Sequence, residues 1–434
     1  MTGIPPARIV IINDRSTRVG GATNLAILSA ELLRRRGLSV TFFAGDNAPG
    51  EPPADDMINL GQAPLLDRTR SDALRLGLYN PRAHEALSGL ISTRDTPTTI
   101  YHVHGWSKIL SPAIFRALAK VRERVVLHAH DYFLACPNGG FVNYRTQRVC
   151  ELEPMSRRCL ATQCDKRGLH EKLWRTARHL LREHLFPTRS APAHIVIVHE
   201  RMREYMLRAG IGDGRISTIR NPVSPLAGPG LAPWTRSNFV FIGRLEEEKG
   251  YKDAARAAHL AGVPLHFIGD GAGRAFLERE FPQARVHGWK SKEAMHDIVC
   301  GARAVVVPSR VPEPFGLAAL EAAGSGLPVI ITKAALLSQE IAASGCGLSF
   351  TPANVDDLAA AMRRIASDDD LVHRMSMTGV AVAGQLSHTP ESWADALIDL
   401  YESILLRGRS DPRAPATLPA PRAAGWGTLR DQIW

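Results

Sequence analysis

The chain has 434 residues, 45% of them hydrophobic, so it is long enough for two domains that each bury a core of normal size. It carries 53 Lys and Arg against 43 Asp and Glu, a formal net charge of +10, but no basic run interleaved with aromatic residues, which argues against a nucleic-acid partner. The sequence has neither a charge-free run of about 18 apolar residues nor a start typical of a signal peptide. We therefore expect a cytoplasmic protein.

The N-terminal half begins with a predicted strand, a glycine-bearing loop, a helix and a second strand. Arg8–Asn13 is a short apolar run rich in β-branched residues, and the polar loop after it ends in Gly20 and Gly21. Apolar positions with helical spacing follow over 22–36, before the next strand at 38–44. This succession predicts a parallel sheet. Further strands are predicted at 99–104, 124–129 and 194–198.

A second series of alternating strands and helices begins near residue 237. Its strands are predicted at 239–242, 264–268, 285–287, 304–307 and 328–331. Prolines indicate a linker over 221–236, and the Pro-, Gly- and Asp-rich stretch 45–69 is expected to be a mobile insertion. We therefore predict an α/β protein with two Rossmann-like domains, which we place at residues 1–220 and 237–388. An amphipathic helix over 389–406 and a disordered tail over 407–434 complete the chain.

Charged residues follow two strands of the second series, at the sheet edge where open α/β sheets bind ligands. Gly243, Arg244 and Lys249 come after strand 239–242, where two cations could neutralise a departing phosphate. The alternative is a surface loop balanced by the three glutamates between them. Glu313 follows strand 304–307, and Glu321 lies in the helix after it, whose free N–H groups favour an anion or sugar hydroxyls.

Two weaker signals follow other strands. His130 comes after strand 124–129, and a histidine there can contact hydroxyls, move protons or be purely structural. Gly269 lies in a turn after strand 264–268, where a missing side chain permits close approach of a ligand or simply a tight turn.

The motif Gly243-Arg-Leu-x-x-x-Lys249-Gly, together with Glu313-x7-Glu321, resembles glycosyltransferase family 4, whose members are retaining enzymes of the GT-B fold. The resemblance implies two Rossmann-like domains that face each other across a cleft, with the final helix crossing back to the N-terminal domain. It also implies a hexosyltransferase that needs no metal for catalysis and takes its sugar from a UDP- or GDP-linked donor.

The resemblance further implies a role for each matching residue. Arg244 and Lys249 would hold the diphosphate, and His130 would contact a sugar hydroxyl near the reacting carbon. Glu313 would bind the transferred sugar. The remaining residues implied for the donor site are Gly21, Gly243, Gly269, Phe315, Gly316, Leu317 and Glu321.

Three other functions fit the sequence less well. A GT-B nucleotide-sugar epimerase would need further carboxylates in the N-terminal cleft, and none is evident. The first loop lacks the G-x-G-x-x-G fingerprint of dinucleotide dehydrogenases. A non-catalytic sugar-binding homologue is disfavoured by the intact Arg244, Lys249 and glutamates, but only turnover excludes it.

The segment from His130 to Tyr144 and four nearby cysteines resemble bacterial transferases that assemble exopolysaccharide or capsule repeats. The resemblance implies a saccharide or polyprenyl-linked acceptor. The cysteines, separated by 13, 8 and 4 residues, fit free buried thiols, a structural zinc site or disulfides. They are Cys136, Cys150, Cys159 and Cys164.

Residues 157–189 contain nine Lys and Arg against three acids, with leucines such as Leu169, Leu173 and Leu180 at helical spacing. Such a helix could lie on an anionic membrane surface, which would place the protein at the inner face of the plasma membrane. Alternatively, the leucines would face the core and the basic side would face solvent.

Overall fold

The computed structural model describes residues 5–18, 20–47, 52–190, 193–228 and 230–410. The strands are β1 (Arg8–Asn13), β2 (Val40–Ala44), β3 (Asp56–Asn59), β4 (Thr99–Val103), β5 (Val125–Ala129), β6 (Val142–Asn143), β7 (Arg148–Val149), β8 (His194–Ile197), β9 (Ile216–Thr218), β10 (Asn238–Ile242), β11 (Leu265–Ile268), β12 (Arg285–Val286), β13 (Ala302–Val307), β14 (Val329–Thr332) and β15 (Gly347–Phe350).

The helices alternate with these strands through most of the chain. They are α1 (Gly21–Arg35), α2 (Arg70–Leu78), α3 (Pro81–Arg94), α4 (Ala113–Leu118), α5 (Arg157–Ala161), α6 (Leu169–Leu185), α7 (Met202–Arg208), α8 (Tyr251–Ala261), α9 (Arg274–Glu280), α10 (Lys292–Cys300), α11 (Leu317–Gly324), α12 (Ser338–Ser344), α13 (Val355–Ser367), α14 (Asp369–Leu386) and α15 (Pro390–Ser410). Short 3-10 turns occur at Leu65–Asp67, Ala119–Arg124, Asp213–Arg215, Pro233–Thr235 and Glu247–Lys249.

Two parallel sheets form the scaffold. The N-terminal sheet has the order β3-β2-β1-β4-β5-β8-β9, and the C-terminal sheet has the order β12-β11-β10-β13-β14-β15. Each begins in the middle and grows first to one side and then to the other, which is the doubly wound arrangement. The prediction of two Rossmann-like units is confirmed, with the strands of each sheet inside the residue ranges expected for it.

Helix α15 returns to the N-terminal half. Trp393, Leu397 and Tyr401 on this helix are fully buried in one apolar cluster with residues of α1 and of the N-terminal sheet. The linker runs beside the start of this return, since the Val223 amide donates to the His388 carbonyl at 2.9 Å. The predicted crossing of the last helix is therefore confirmed. The predicted disordered tail begins too early, because residues 407–410 continue α15, and 411–434 lie outside the described residues.

The largest departures from the predicted elements are strands with few apolar residues. Strand β3 lies inside the stretch that was expected to be a mobile insertion, and it pairs with β2 at the sheet edge. Its partly exposed sequence, DMIN, lacks the apolar run that marks a buried strand. Strand β15 likewise begins with Gly347 and contains Ser349. Within the described part of the chain, no helix is long and apolar enough to cross a membrane.

Candidate active site

The motif residues of the C-terminal half meet where its strand order reverses. Strands β10 and β13 are neighbours at this point, and ligands of open α/β sheets bind at the carboxyl ends of such strands. The loop carrying Arg244 and Lys249 follows β10, and the loop carrying Glu313 follows β13. Because both loops leave adjacent parallel strands at the same edge, residues 64 positions apart come into contact.

Lys249 and Glu313 form the centre of this site. The Lys249 Nζ donates to Glu313 Oε1 at 2.7 Å, and the Ser309 Oγ donates to Glu313 Oε2 at 2.5 Å. Burial alone would raise the pKa of Glu313, but the Lys249 ammonium and the Ser309 hydroxyl outweigh it and hold the pKa below its ordinary value. Glu313 is therefore an ionised acceptor, with a cation directly beside it.

Arg244 is the second cation at this edge, and it is much less constrained. Its side chain is 67% exposed and its guanidinium lies 3.7 Å from Glu248. Glu248 is also bound by Lys166 of the N-terminal half, at 3.0 Å. Arg244 is thus only loosely held by Glu248, because Lys166 is closer to that carboxylate.

Glu321 lies on α11 and is paired with a residue that the sequence did not indicate. Lys292 Nζ, at the start of α10, is 3.4 Å from Glu321 Oε1 and also donates to the Ser224 carbonyl at 2.7 Å. Burial raises the pKa of Glu321, and Lys292 offsets only part of that effect. A carboxylate beside an ammonium offers an acceptor and a donor to a pair of adjacent hydroxyls.

Two glycines allow the loops of this site to pack backbone against backbone. A Cβ on Gly250 would lie 2.0 Å from the Pro308 carbonyl oxygen, and one on Gly269 would lie 1.9 Å from the Gly243 carbonyl oxygen. Both residues have positive φ, at 71° and 139°. The structure thus gives Gly243 and Gly269 a packing role, while their predicted contact with a ligand stays a prediction.

The starts of two helices meet across the cleft between the halves. Gly21 begins α1 and Leu317 begins α11, and a Cβ on Gly21 would lie 3.2 Å from Leu317 Cδ1. Phe315 and Gly316 lead into α11 and are buried. Free N–H groups at a helix start attract anions, so this junction beside Lys249 is suited to phosphate oxygens.

His130 stands directly after β5 in the N-terminal half. Its Nε2 is 2.9 Å from Nδ1 of His104, which follows the neighbouring strand β4. Desolvation lowers the pKa of His130 to about 3, so the imidazole is neutral at physiological pH. A neutral imidazole can accept a hydrogen bond from a hydroxyl, as the predicted sugar contact requires.

The four cysteines of the N-terminal half all carry free thiols, with Cys136 and Cys164 buried and Cys150 and Cys159 partly buried. Three of them line one cavity with Lys172, namely Cys136, Cys159 and Cys164. Within the described residues, three or more ligand atoms lie within 4.8 Å of one another only at His102, His104 and His128 and at His199, Glu200 and Glu340. The cysteine sulfurs therefore do not converge that closely, and structural zinc stays a prediction.

Helix α6 buries its basic side rather than its first leucines. Its buried residues are basic, namely Lys172, Arg178, His179 and Arg182. Leu169, Leu173 and Leu180 are instead 53–56% exposed. Leu185 packs against the core as the core-facing alternative expects. The solvated basic back of that alternative is wrong, because Lys172, Arg178 and Arg182 are buried and donate to protein carbonyls.

Comparison with known proteins identifies the family. The profile described as Glycosyltransferase Family 4 matches residues 19–225, and that described as Glycosyl transferases group 1 matches residues 231–380. The GDP-mannose-dependent alpha-mannosyltransferase of Mycolicibacterium smegmatis is 26% identical over 405 residues, covering 91% of this chain and 96% of that protein. A glycogen synthase of Mycobacterium tuberculosis is 32% identical over 183 residues, which are 38% of this chain and only 43% of the synthase.

Solved structures share the architecture at low identity. Sucrose-phosphate synthase of Thermosynechococcus elongatus has a TM-score of 0.69 at 20% identity, covering 92% of this chain and 99% of that one. Anabaena HepE in complex with UDP-glucose has a TM-score of 0.62 at 16% identity, covering 91% and 99%. With matching profiles over both halves and two facing Rossmann-like sheets, the chain belongs to the family 4 glycosyltransferases of the GT-B fold.

Proposed function

We propose that this protein is a retaining, metal-independent hexosyltransferase that moves a hexose from a nucleoside diphosphate sugar to a saccharide carried on a membrane lipid. The observation that carries the proposal is the Lys249–Glu313 pair at the strand-order reversal, beside the exposed Arg244 and the start of α11. A relative named for its use of GDP-mannose and a neighbour solved with UDP-glucose support such a donor.

The cations act on the leaving group. As the bond between the anomeric carbon and the phosphate oxygen breaks, negative charge builds on the diphosphate. Lys249 and Arg244 therefore stabilise the transition state, with its extra negative charge, more than they stabilise the bound donor. This difference lowers the activation barrier. The acceptor oxygen attacks the face from which the diphosphate departs, and the acceptor proton passes to a departing phosphate oxygen. The configuration at the anomeric carbon is thereby retained.

The carboxylates position the donor. Glu313, which Lys249 keeps ionised, accepts hydrogen bonds from hydroxyls of the hexose. Glu321 and Lys292 together bind the ribose hydroxyls. His130 approaches from the N-terminal half as a neutral acceptor near the reacting carbon. The hexose is therefore held from both halves of the cleft, which fixes the distance between the reacting carbon and the acceptor.

A panel of UDP-, GDP- and ADP-hexoses tests the donor site by thermal shift and by release of free hexose. We expect stabilisation and slow hydrolysis with one nucleotide, and NMR of the early product should show the anomer of the donor. Failure of all donors to bind, or an inverted product, would contradict the proposal. Conversion of the nucleotide sugar without acceptor into its epimer would instead identify an epimerase.

The leucines of α6 support the lipid-linked acceptor. Leu169, Leu173 and Leu180 share an exposed apolar face, and α2 lies against α6, with its Leu74 carbonyl accepting from the Trp174 indole at 3.0 Å. Arg70 on α2 lies 3.5 Å from Glu171 in the first turn of α6, and Arg157, Arg158 and Arg167, in the segment that precedes α6, are exposed. An apolar strip flanked by cations matches the surface of an anionic bilayer, which solvates leucines below its phosphates.

Sedimentation with vesicles tests this surface. The protein is expected to bind phosphatidylglycerol vesicles at low salt and to be released by high salt, with weak binding to phosphatidylcholine. Replacing Leu169, Leu173 and Leu180 by Ser should abolish binding, whereas the exposed Leu207 and Leu260, outside this face, serve as matched controls. Equal binding by both sets of variants, or no binding by the unmodified protein, would contradict the proposed membrane-binding surface without affecting the proposed donor site.

A further inference from the structure

Four histidines lie side by side beneath the cleft. His102 and His128 belong to β4 and β5, and His104 and His130 directly follow these strands. The rings of His128 and His130 are stacked at 4.2 Å between centroids, and those of His104 and His130 at 5.2 Å. Of the four, only His130 is more than slightly exposed, because α1 and α15 cover the others. The group that meets the sugar is thus the outermost member of a buried row.

The hydrogen bonds of Ser29 decide which nitrogen of His104 carries the proton. The Ser29 Oγ lies 2.7 Å from the Ala26 carbonyl oxygen, which can only accept, so the single hydroxyl hydrogen points there. The same Oγ is 3.4 Å from His104 Nε2. Since the hydroxyl has no second hydrogen, the oxygen is the acceptor in this contact, and Nε2 of His104 is the donor.

The proton on His104 Nε2 leaves the other ring nitrogen, Nδ1, as a hydrogen-bond acceptor. Burial, with neighbouring histidines adding to it, lowers the pKa of His104 well below its ordinary value, so the ring holds one proton. Its Nδ1 therefore carries no hydrogen and can only accept. The 2.9 Å contact between His104 Nδ1 and His130 Nε2 then requires His130 Nε2 to carry the hydrogen and donate it. His130 is also neutral, so its Nδ1 is a lone pair, and the described residues give that atom no hydrogen-bond donor.

We propose that Ser29 and His104 are positioning residues that hold His130 as the Nε2-protonated tautomer and so present its Nδ1 to a hydroxyl of the hexose. The opposite tautomer would present an N–H, which suits a phosphate or ring oxygen instead. The assignment of the hexose rests on the proposed function, whereas the tautomer is a property of the free protein. Ser29 lies on α1, the helix whose first residue, Gly21, lies close to Leu317 at the cleft.

Nitrogen NMR of the full-length protein labelled with 15N-histidine tests the tautomer directly. His130 is assigned by its loss in His130→Gln, and two-bond N–H correlations show which nitrogen is protonated. We expect Nε2–H on His130 in the unmodified protein. His104→Asn, whose side-chain oxygen can accept in place of Nδ1, should preserve this state, while His104→Leu should give a mixture of tautomers.

Kinetics separate positioning from general packing. His104→Leu is expected to lower kcat about tenfold with the donor KM unchanged, on the scale of one polar contact, and His104→Asn to recover most of that loss. Nδ1–H on His130 in the unmodified protein, or the Nε2–H state and full kcat in His104→Leu, would overturn the proposal. Should His104→Leu fail to fold, Ser29→Ala replaces it, with a mixed His104 tautomer expected. If no donor is turned over, the NMR result still decides, so the two proposals fail separately.

Discussion

Replacing Lys249 by Ala separates two roles of one ammonium group. In the free protein, Lys249 Nζ forms a salt bridge with Glu313 Oε1 at 2.7 Å, and the two side chains are 24% and 19% exposed, respectively. During the reaction, we propose that the same group neutralises the departing diphosphate. The first role affects stability and the second affects turnover, so a single substitution followed by two measurements distinguishes them.

The magnitudes follow from charge and burial. Opposite unit charges about 4 Å apart attract each other by about 4 kcal/mol at an effective dielectric constant of about 20. We expect Lys249 to contribute most of such an attraction to the diphosphate in the transition state. We therefore expect Lys249→Ala to lower kcat/KM by about 100- to 1000-fold, since about 1.4 kcal/mol is tenfold. Its free energy of unfolding should fall by only about 1–3 kcal/mol, because Glu313 keeps the Ser309 hydroxyl and some solvent.

The double variant Lys249→Ala/Glu313→Gln provides the decisive comparison. Removing the carboxylate charge as well should restore most of the lost stability in urea unfolding, because no unpaired anion is left. Turnover should stay low, since the cation for the leaving group is still missing. Lys252→Ala, which removes a nearby lysine paired with Glu247, is the control for general charge loss. A kcat/KM within twofold of the unmodified protein, or recovery of turnover in the double variant, would refute the leaving-group role.

Three further expectations concern stability. Burial lowers the pKa of His179 to about 3 and that of His194 to about 4, so below pH ~6.5 the unfolded chain binds more protons than the folded one. As the pH is lowered from 7 to 5, the free energy of unfolding in urea should therefore fall by up to about 1.4 kcal/mol per pH unit for each histidine. An unchanged free energy of unfolding over this range would contradict this. Gly250→Ala should cost clearly more than Gly262→Ala, because both have φ near 70° but only Gly250 faces a carbonyl, and equal thermal shifts would show that the loops yield. Trp393→Ala should cost about 3–5 kcal/mol in chemical unfolding, and a smaller loss would mean that α15 is not anchored on the N-terminal core.

The sequence predicted those parts of the site that depend on strand order. Apolar runs marked β10 and β13, and parallel strands carry the following residues to the same edge, so the meeting of Lys249 and Glu313 could be anticipated. Lys292 could not be found this way, because it lies on a helix and reaches Glu321 only through the packing of α10 against the linker. Periodicity likewise predicted α6 but not which of its faces is buried.

Helix α6 shows why its burial could not be predicted and what that burial does. Arg182 is fully buried and donates to the Leu134 carbonyl at 2.8 Å, and Arg178 donates to the Ser107 carbonyl at 2.8 Å. Both carbonyls belong to irregular loops after β5 and β4, where backbone groups lack strand partners and need donors. The basic face of α6 therefore supports the loops that carry His130 and His104, and this use of its cations leaves the leucines outward. If a bilayer receives those leucines as proposed, α6 connects it through Arg178 and Arg182 to the loops that carry His104 and His130, the histidine proposed to contact the sugar.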